Sequence, residues 1–196
     1  MVETNGRNFD LLTLGQVLLR LSPPDNERLS RGDTFVKQVG GAELNVAVGA
    51  ALLGLHTGVI SKLPAHDIGS FMKGKIRSFG VSDDFFMYDQ SPAARVGIYY
   101  YENGAYPRKP KVIYDRNHSS FFSLDIDEIP EEVYTASKCF HTTGITLALN
   151  EDIRETTIEM IKWFKAAGTL VSFDVNFRGN LWTGDQARER ILRILP

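Results

Sequence analysis

Short apolar runs closed by glycine alternate with longer amphipathic stretches along most of this chain. Residues 9–14 read as a strand that stops at Gly15, and residues 34–39 as a second strand closed by Gly40-Gly41. Nearly every position of 42–55 is apolar or small, which predicts a helix buried on all sides. Gly54 and Gly58 mark a turn into the strand 59–61. In 66–79, Ile68, Phe71, Met72, Ile76 and Phe79 fall at helical spacing, with Gly80 placed as a C-cap.

The middle of the chain changes period. Residues 95–102 and 111–116 alternate like strands, joined by a turn-rich segment at 103–107. Residues 138–141 follow as a core strand ending at Thr142-Thr143-Gly144. An amphipathic helix over 151–167 carries Ile153, Thr157, Ile161 and Phe164 along one face and stops at Gly168. A strand over 169–175 and a helix from Asp185 complete the pattern. Strand and helix in alternation predict a parallel α/β sheet, with the tyrosine-rich pair as a separate small sheet. A βαβ series calls for a strand after the helix that runs to Pro196, so the chain is expected to be a piece of a longer protein.

Composition narrows the partners more than the fold. The 196 residues are 43% apolar and 23% charged, enough for a buried core in one domain with a small appended part. Lys and Arg total 22 against 24 for Asp and Glu, a net charge of -2 that gives no general attraction for nucleic acid or an anionic membrane. Cys139 is the single cysteine, so neither an intrachain disulfide nor a cysteine-rich zinc site can form. Residues 1–8 lack the apolar core of a signal peptide, and no apolar run approaches the ~20 residues that span a bilayer. A soluble, cytoplasmic protein is expected.

Two motifs fail on inspection. Residues 69–75 satisfy most of a nucleotide P-loop pattern, but Ile76 stands where a Ser or Thr would ligate magnesium, and the stretch lies inside a helical pattern. His56, His66, His118 and His141 show no metal-ligand spacing and read as solvated or structural.

Three motifs carry chemistry. In Gly40-Gly41-Ala42-Glu43-Leu44-Asn45 two glycines precede a helix, so backbone can approach a ligand at the positive helix end. Asn45 reads as a buried amide in need of partners, which sugar hydroxyls would supply. A tight strand-to-helix turn with Asn45 bonded to a neighbouring loop fits equally well. The second motif, residues 172–178, runs off the C-terminal end of a strand, where ligands bind in open α/β sheets. There Arg178 suits a carboxylate or phosphate; pairing with a surface acid is the plain alternative. In the third, alternation puts Val112, Tyr114 and Arg116 on one face and Tyr99 and Tyr101 on one face of the neighbouring strand. Those faces could close over a small ligand, pack on a second subunit, or form an ordinary layer on the main domain.

At these residues the chain resembles the ribokinase-type (PfkB) carbohydrate kinases, and within them the 2-keto-3-deoxygluconate kinases. The signs are Gly15 with Leu18-Leu19-Arg20-Leu21-Ser22-Pro23, then 40–47, Asp67 and Gly69, 140–146, and Asp174-Val175-Asn176-Phe177-Arg178 with Leu181-Trp182. They occur in the family's order and cover essentially the whole chain.

The resemblance implies a Rossmann-like α/β fold over 1–196, a parallel sheet with helices on both faces. It adds a small β-sheet lid with strands at about 16–39 and 95–122, through which the chain would form a homo-oligomer. The implied reaction is ATP- and Mg2+-dependent phosphorylation of 2-keto-3-deoxygluconate at its terminal hydroxyl. Gly40, Gly41 and Asn45 would hold the hydroxyl end, Tyr99 and Tyr114 would contact the substrate from the lid, and Arg116 and Arg178 would hold its carboxylate. Gln16 departs from the Glu usual at that place. The family's catalytic aspartate belongs to a late Gly-Ala-Gly-Asp loop that does not occur in 1–196, so no catalytic residue is expected in this chain and the ATP-binding half is missing from it. A kinase for another sugar such as fructose, and a non-catalytic sugar-acid-binding module, are the alternatives.

Overall fold

A computed structural model describes residues 6–195. Residues 1–5, which carry most of the reading of the chain's start, and residue 196 lie outside the described residues. The chain opens with β1 (Phe9–Leu14), β2 (Leu18–Ser22) and β3 (Val36–Gly40), then α1 (Ala42–Leu52), β4 (Thr57–Pro64) and α2 (Asp67–Arg77). Two short strands, β5 (Val81–Ser82) and β6 (Phe86–Asp89), precede the antiparallel pair β7 (Gly97–Glu102) and β8 (Lys111–Asp115). Three 3-10 turns between residues 120 and 135 lead into β9 (Ser137–Thr143), α3 (Gly144–Ala148), α4 (Glu151–Ala166), β10 (Leu170–Asp174) and α5 (Gly184–Leu192).

The main sheet is parallel throughout, in the order β10-β9-β1-β4, with β5 and β6 both pairing with β4 at its outer side. On one face α4 lays Ile153, Ile161 and Phe164 against Leu12, Leu14 and Phe140, all buried. On the other, Leu44 and Ala47 of α1 and Met72 and Ile76 of α2 cover Val59 and Leu63. Helices therefore flank both faces, as a Rossmann-like sheet requires. Period-two alternation along β4 sends Val59 and Leu63 one way and Ile60 the other, which lets one strand serve both cores. Each large side chain buried in this way contributes about 1.5–3 kcal/mol.

Caps set the helix starts. Asn150 accepts from the Ile153 N–H at 2.9 Å to begin α4, His66 Nδ1 from the Ile68 N–H at 3.2 Å to begin α2, and Thr183 with Gln186 forms a capping box on α5. Gly80 and Gly168 follow α2 and α4 with φ of +78° and +72°, the left-handed conformation that ends a helix. The P-loop-like residues 69–75 lie wholly within α2. Among the described residues no helix is long and apolar enough to cross a membrane.

The second sheet has four strands in the order β3-β2-β7-β8 and is mixed: β2 runs parallel to β7 and antiparallel to β3. It is larger than the tyrosine-rich pair alone. Because β2 follows β1 after only Gly15-Gln16-Val17, and β3 feeds α1 through Gly40-Gly41, this sheet rises from the C-terminal edge of the main one. That edge is where open α/β sheets bind ligands.

One expectation fails. The apolar composition of 42–55 predicts a helix covered on every side, yet α1 is fully buried only through Glu43, Leu44 and Ala47. Leu52 and Leu53 are 77% and 85% exposed, and Val46 is also exposed. A helix lying on one sheet buries one stripe, and among the described residues nothing covers the opposite stripe. Composition reports how apolar a helix is, not how many neighbours it has.

Candidate functional site

The turn from β3 into α1 is built for close approach. Tyr99 lies over Gly40, and a Cβ at position 40 would fall 2.5 Å from its hydroxyl oxygen. Gly41 has φ of +149° and faces the Gln16 carbonyl, where a Cβ would come within 2.7 Å. Neither place admits a side chain, and Gly41 also adopts a backbone conformation that L residues rarely take. The first N–H groups of α1 consequently stand at the mouth of a cleft.

That cleft, about 380 Å³, lies between the two sheets and is lined by Gly41, Asn45, Tyr99, Tyr114, Arg116 and Arg178. Six of the seven residues singled out from the sequence thus share one space, and Gly40 lies against Tyr99 without lining it. Cross-strand pairing sets Tyr99 opposite Tyr114, ring centroids 6.0 Å apart, on the sheet face turned to the cleft. Burial pushes the Tyr99 phenol above its ordinary value, so at neutral pH it is a neutral hydrogen-bonding group. An adjoining hollow of about 250 Å³ is shared by Tyr114, Arg116, Arg178 and Asn180.

Asn45 corrects the sequence reading. Its side chain is exposed, because the helix face that carries it looks into the open cleft and not into the core.

The two arginines reach the cleft from different layers. Arg116 follows β8 of the small sheet. Arg178 follows β10, where Asp174 Oδ1 accepts from the Asn176 N–H at 2.9 Å and Asn176 adopts φ of +38°, turning the chain off the strand. This corner packs on the start of α3, since Gly144 has no room for a Cβ beside the Val175 carbonyl. Arg178 is exposed, and Nη1 donates to the neighbouring Phe177 carbonyl at 3.0 Å. Arg116 is partly buried, and burial pulls its guanidinium below the ordinary value, against the opposing charge of Glu43. Among the described residues neither guanidinium has a carboxylate within 4.0 Å.

Sequence reasoning assigns no role to several residues of this region. Arg20 lies 4.2 Å over the Tyr101 ring and lines the cleft; the alternation of Leu19 and Leu21 around it, in register with Tyr99, is the signal that could have found it. Gln16, 3% exposed, exchanges hydrogen bonds with Arg116: Arg116 Nε donates to Gln16 Oε1 at 2.7 Å, and Gln16 Nε2 donates to the Arg116 carbonyl at 3.1 Å. Glu43 sits within the glycine-rich motif. Its carboxylate is buried, with Oε1 accepting from Thr143 Oγ1 and Thr146 Oγ1, each at 2.7 Å. Burial pushes its carboxyl up, only partly offset by the two hydroxyl donors and the nearby Arg116. No period or spacing marks such a residue; only the fold brings threonines 100 positions away against it.

Cofactor sites are a different matter. No group of three His, Cys, Asp or Glu side chains gathers among the described residues as a metal would require, and the 69–75 pattern is helical. His66 is a helix cap, and His141 Nδ1 pairs with Ser172 Oγ at 2.9 Å. Among the described residues, these side chains do not form a magnesium or nucleotide site.

Relatives agree with this architecture. A 2-dehydro-3-deoxygalactonokinase of Haloferax volcanii is 37% identical over 187 residues, covering 95% of this chain and 58% of that protein. The crystal structure of 2-dehydro-3-deoxygluconokinase from Thermotoga maritima superposes with a TM-score of 0.89 at 35% identity, over 94% of this chain and 56% of that one. An ATP-bound fructokinase from Xylella fastidiosa superposes with a TM-score of 0.79 at 25% identity, covering 94% of this chain and 54% of its own. The chain therefore spans a little over half the length of these relatives. The family pattern described as "pfkB family carbohydrate kinase" matches residues 8–196. On that match, and on a parallel sheet edged by a small second sheet, the chain belongs to the pfkB family of carbohydrate kinases.

Proposed function

We propose that the cleft binds a sugar acid, and that the whole protein transfers the γ-phosphoryl group of ATP, with Mg2+, to the terminal hydroxyl of 2-keto-3-deoxygluconate. In this reading Gly40, Gly41 and Asn45 hold the hydroxyl end, Tyr99 and Tyr114 close on the substrate from the small sheet, and Arg116 and Arg178 grip the carboxylate. The observation that carries it is the pair of guanidinium groups facing one cleft without a carboxylate partner. A neutral sugar offers nothing that warrants two positive charges, whereas a carboxylate accepts from both. The catalytic aspartate and the nucleotide site are supplied outside residues 1–196, so the chain alone binds substrate without turnover. Two copies would associate through the outer face of the small sheet, where Phe35 and Ile113 are exposed.

Calorimetry on the purified chain tests this. Binding of 2-keto-3-deoxygluconate in preference to fructose, weakened about tenfold or more by Arg116→Ala or Arg178→Ala, is the expected result, since a hydrogen bond to a charged group contributes about 1.5–3 kcal/mol. Unchanged affinity in both variants overturns the carboxylate assignment. Preference for fructose favours the second reading, a neutral-sugar kinase, for which the fructokinase likeness speaks.

A further inference from the structure

The outer side of α4 carries a hollow of about 230 Å³ that shares no lining residue with the cleft. It lies between α4 and the 3-10 turns over Ile126–Glu128 and Glu131–Thr135. Glu159 and Trp163, one helical turn apart, form its α4 wall, and Asp127, Glu131 and Tyr134 face them from the turns. The Trp163 and Tyr134 rings lie 5.3 Å apart at 35°, and an edge-to-face contact with Phe164 at 5.2 Å holds Tyr134 against the core. Trp163 is 46% exposed, so one aromatic face is open to a ligand.

Tyr134 is 6% exposed, yet its hydroxyl, which borders the hollow, makes no hydrogen bond with any described residue. A buried phenol ordinarily finds a partner. Burial, helped by the charge of Glu159, pushes this one up to about 12, so at neutral pH it keeps its proton and still has an oxygen lone pair to offer. The three carboxylates are unengaged as well. Among the described residues no Lys, Arg or His nitrogen lies within 4.0 Å of them, and no Lys or Arg sits over either ring.

Three negative charges beside two aromatic rings call for a cation. A metal ion would need the carboxylates to converge, and among the described residues they form no such group. A guanidinium suits the arrangement better than a compact ammonium, because it is flat and weakly hydrated. It can lie on the Trp163 face while the N–H groups in its own plane reach the carboxylates and the Tyr134 oxygen. We propose that this hollow binds a guanidinium group, carried either by a free guanidino compound or by an arginine side chain of a protein. The site stands apart from the sugar-acid cleft and persists whichever sugar that cleft takes.

The test titrates methylguanidinium into the chain at constant ionic strength and follows the indole N–H resonances by NMR. Trp163 reports on the hollow, and Trp182, buried in the core, is the internal control. Saturable movement of the Trp163 signal with a dissociation constant of roughly 1–10 mM is expected, with Trp182 unmoved. Methylammonium should bind about fivefold more weakly. Glu159→Gln should weaken methylguanidinium about fivefold and Tyr134→Phe about threefold. A shift that does not saturate, equal affinity for methylammonium, or wild-type affinity in both variants overturns the proposal. Glu159 is exposed, so wild-type affinity in a folded Glu159→Gln overturns it alone should Tyr134→Phe fail to fold. The neutral-ended peptide acetyl-Gly-Arg-Gly-amide separates the two sources. Tighter binding than methylguanidinium upholds the site as one for an arginine side chain, and equal or weaker binding upholds it as one for a free guanidino compound.

Discussion

The hydroxyl of Tyr99 occupies the space that any side chain at Gly40 would need. A strand end on one side of the small sheet is thereby matched to an aromatic tip two strands away. Gly40→Ala should leave the fold in place, because position 40 does not need a positive φ, but it must push the stiff ring into the cleft. About tenfold weaker binding of 2-keto-3-deoxygluconate, with a melting temperature within a few degrees of wild type, is expected by calorimetry and thermal denaturation. Unchanged affinity would show that the ring has another resting place.

Glu43 makes stability depend on pH in a defined direction. Its folded-state carboxyl titrates above the ordinary value of 4.5, so between that value and the folded one the unfolded chain has released a proton that the folded chain keeps. Stability from this group is therefore fully present below pH 4.5 and declines as pH rises towards the folded pKa. Glu43→Gln removes the titration. Relative to wild type, its melting temperature should improve steadily from pH 4.5 upwards, and a difference that stays flat with pH would refute the assignment.

Phe140 and Phe164 stack face to face with centroids 4.1 Å apart and neither exposed. They join β9 to α4 across the middle of the core. Phe164→Ala should lower the unfolding free energy by about 3–5 kcal/mol in urea titration, with little change in the slope against denaturant.

Gly15 has no room for a Cβ beside the Glu43 carboxylate. Gly15→Ala should displace Glu43 from Thr143 and Thr146 and destabilise by about 1–3 kcal/mol, the range for a buried polar group that loses its partners. Combining Gly15→Ala with Glu43→Ala should be less damaging than the sum of the two, measured as a double-mutant cycle.

Elements whose pattern depends on one neighbour were legible in the sequence. The face Ile153, Thr157, Ile161 and Phe164 is buried as its helical spacing foretold, and Gly80 and Gly168 end their helices with positive φ. The alternation in 95–116 put Tyr114 and Arg116 on one face and Tyr99 on one face of the neighbouring strand, and the structure turns both to the cleft. Features that depend on what lies opposite were not legible. Asn45 is polar because it borders an open cleft, yet the apolar residues around it suggested burial. Glu43 is ionisable yet lies inside, held by hydroxyls from β9 and α3 that no local pattern links to it. The short strands β5 and β6 carry too few residues to show a period.

Arg116 and Arg178 belong to separate layers, one at the end of the small sheet and one at the rim of the large sheet. A single carboxylate clasped by both, as proposed, would add a polar brace between two sheets that already share an apolar seam, where Leu19, Val39 and Ile98 pack with Leu44 and Met72. Occupancy would then stiffen the junction, and slower amide exchange in β7 and β8 would register the sugar's arrival.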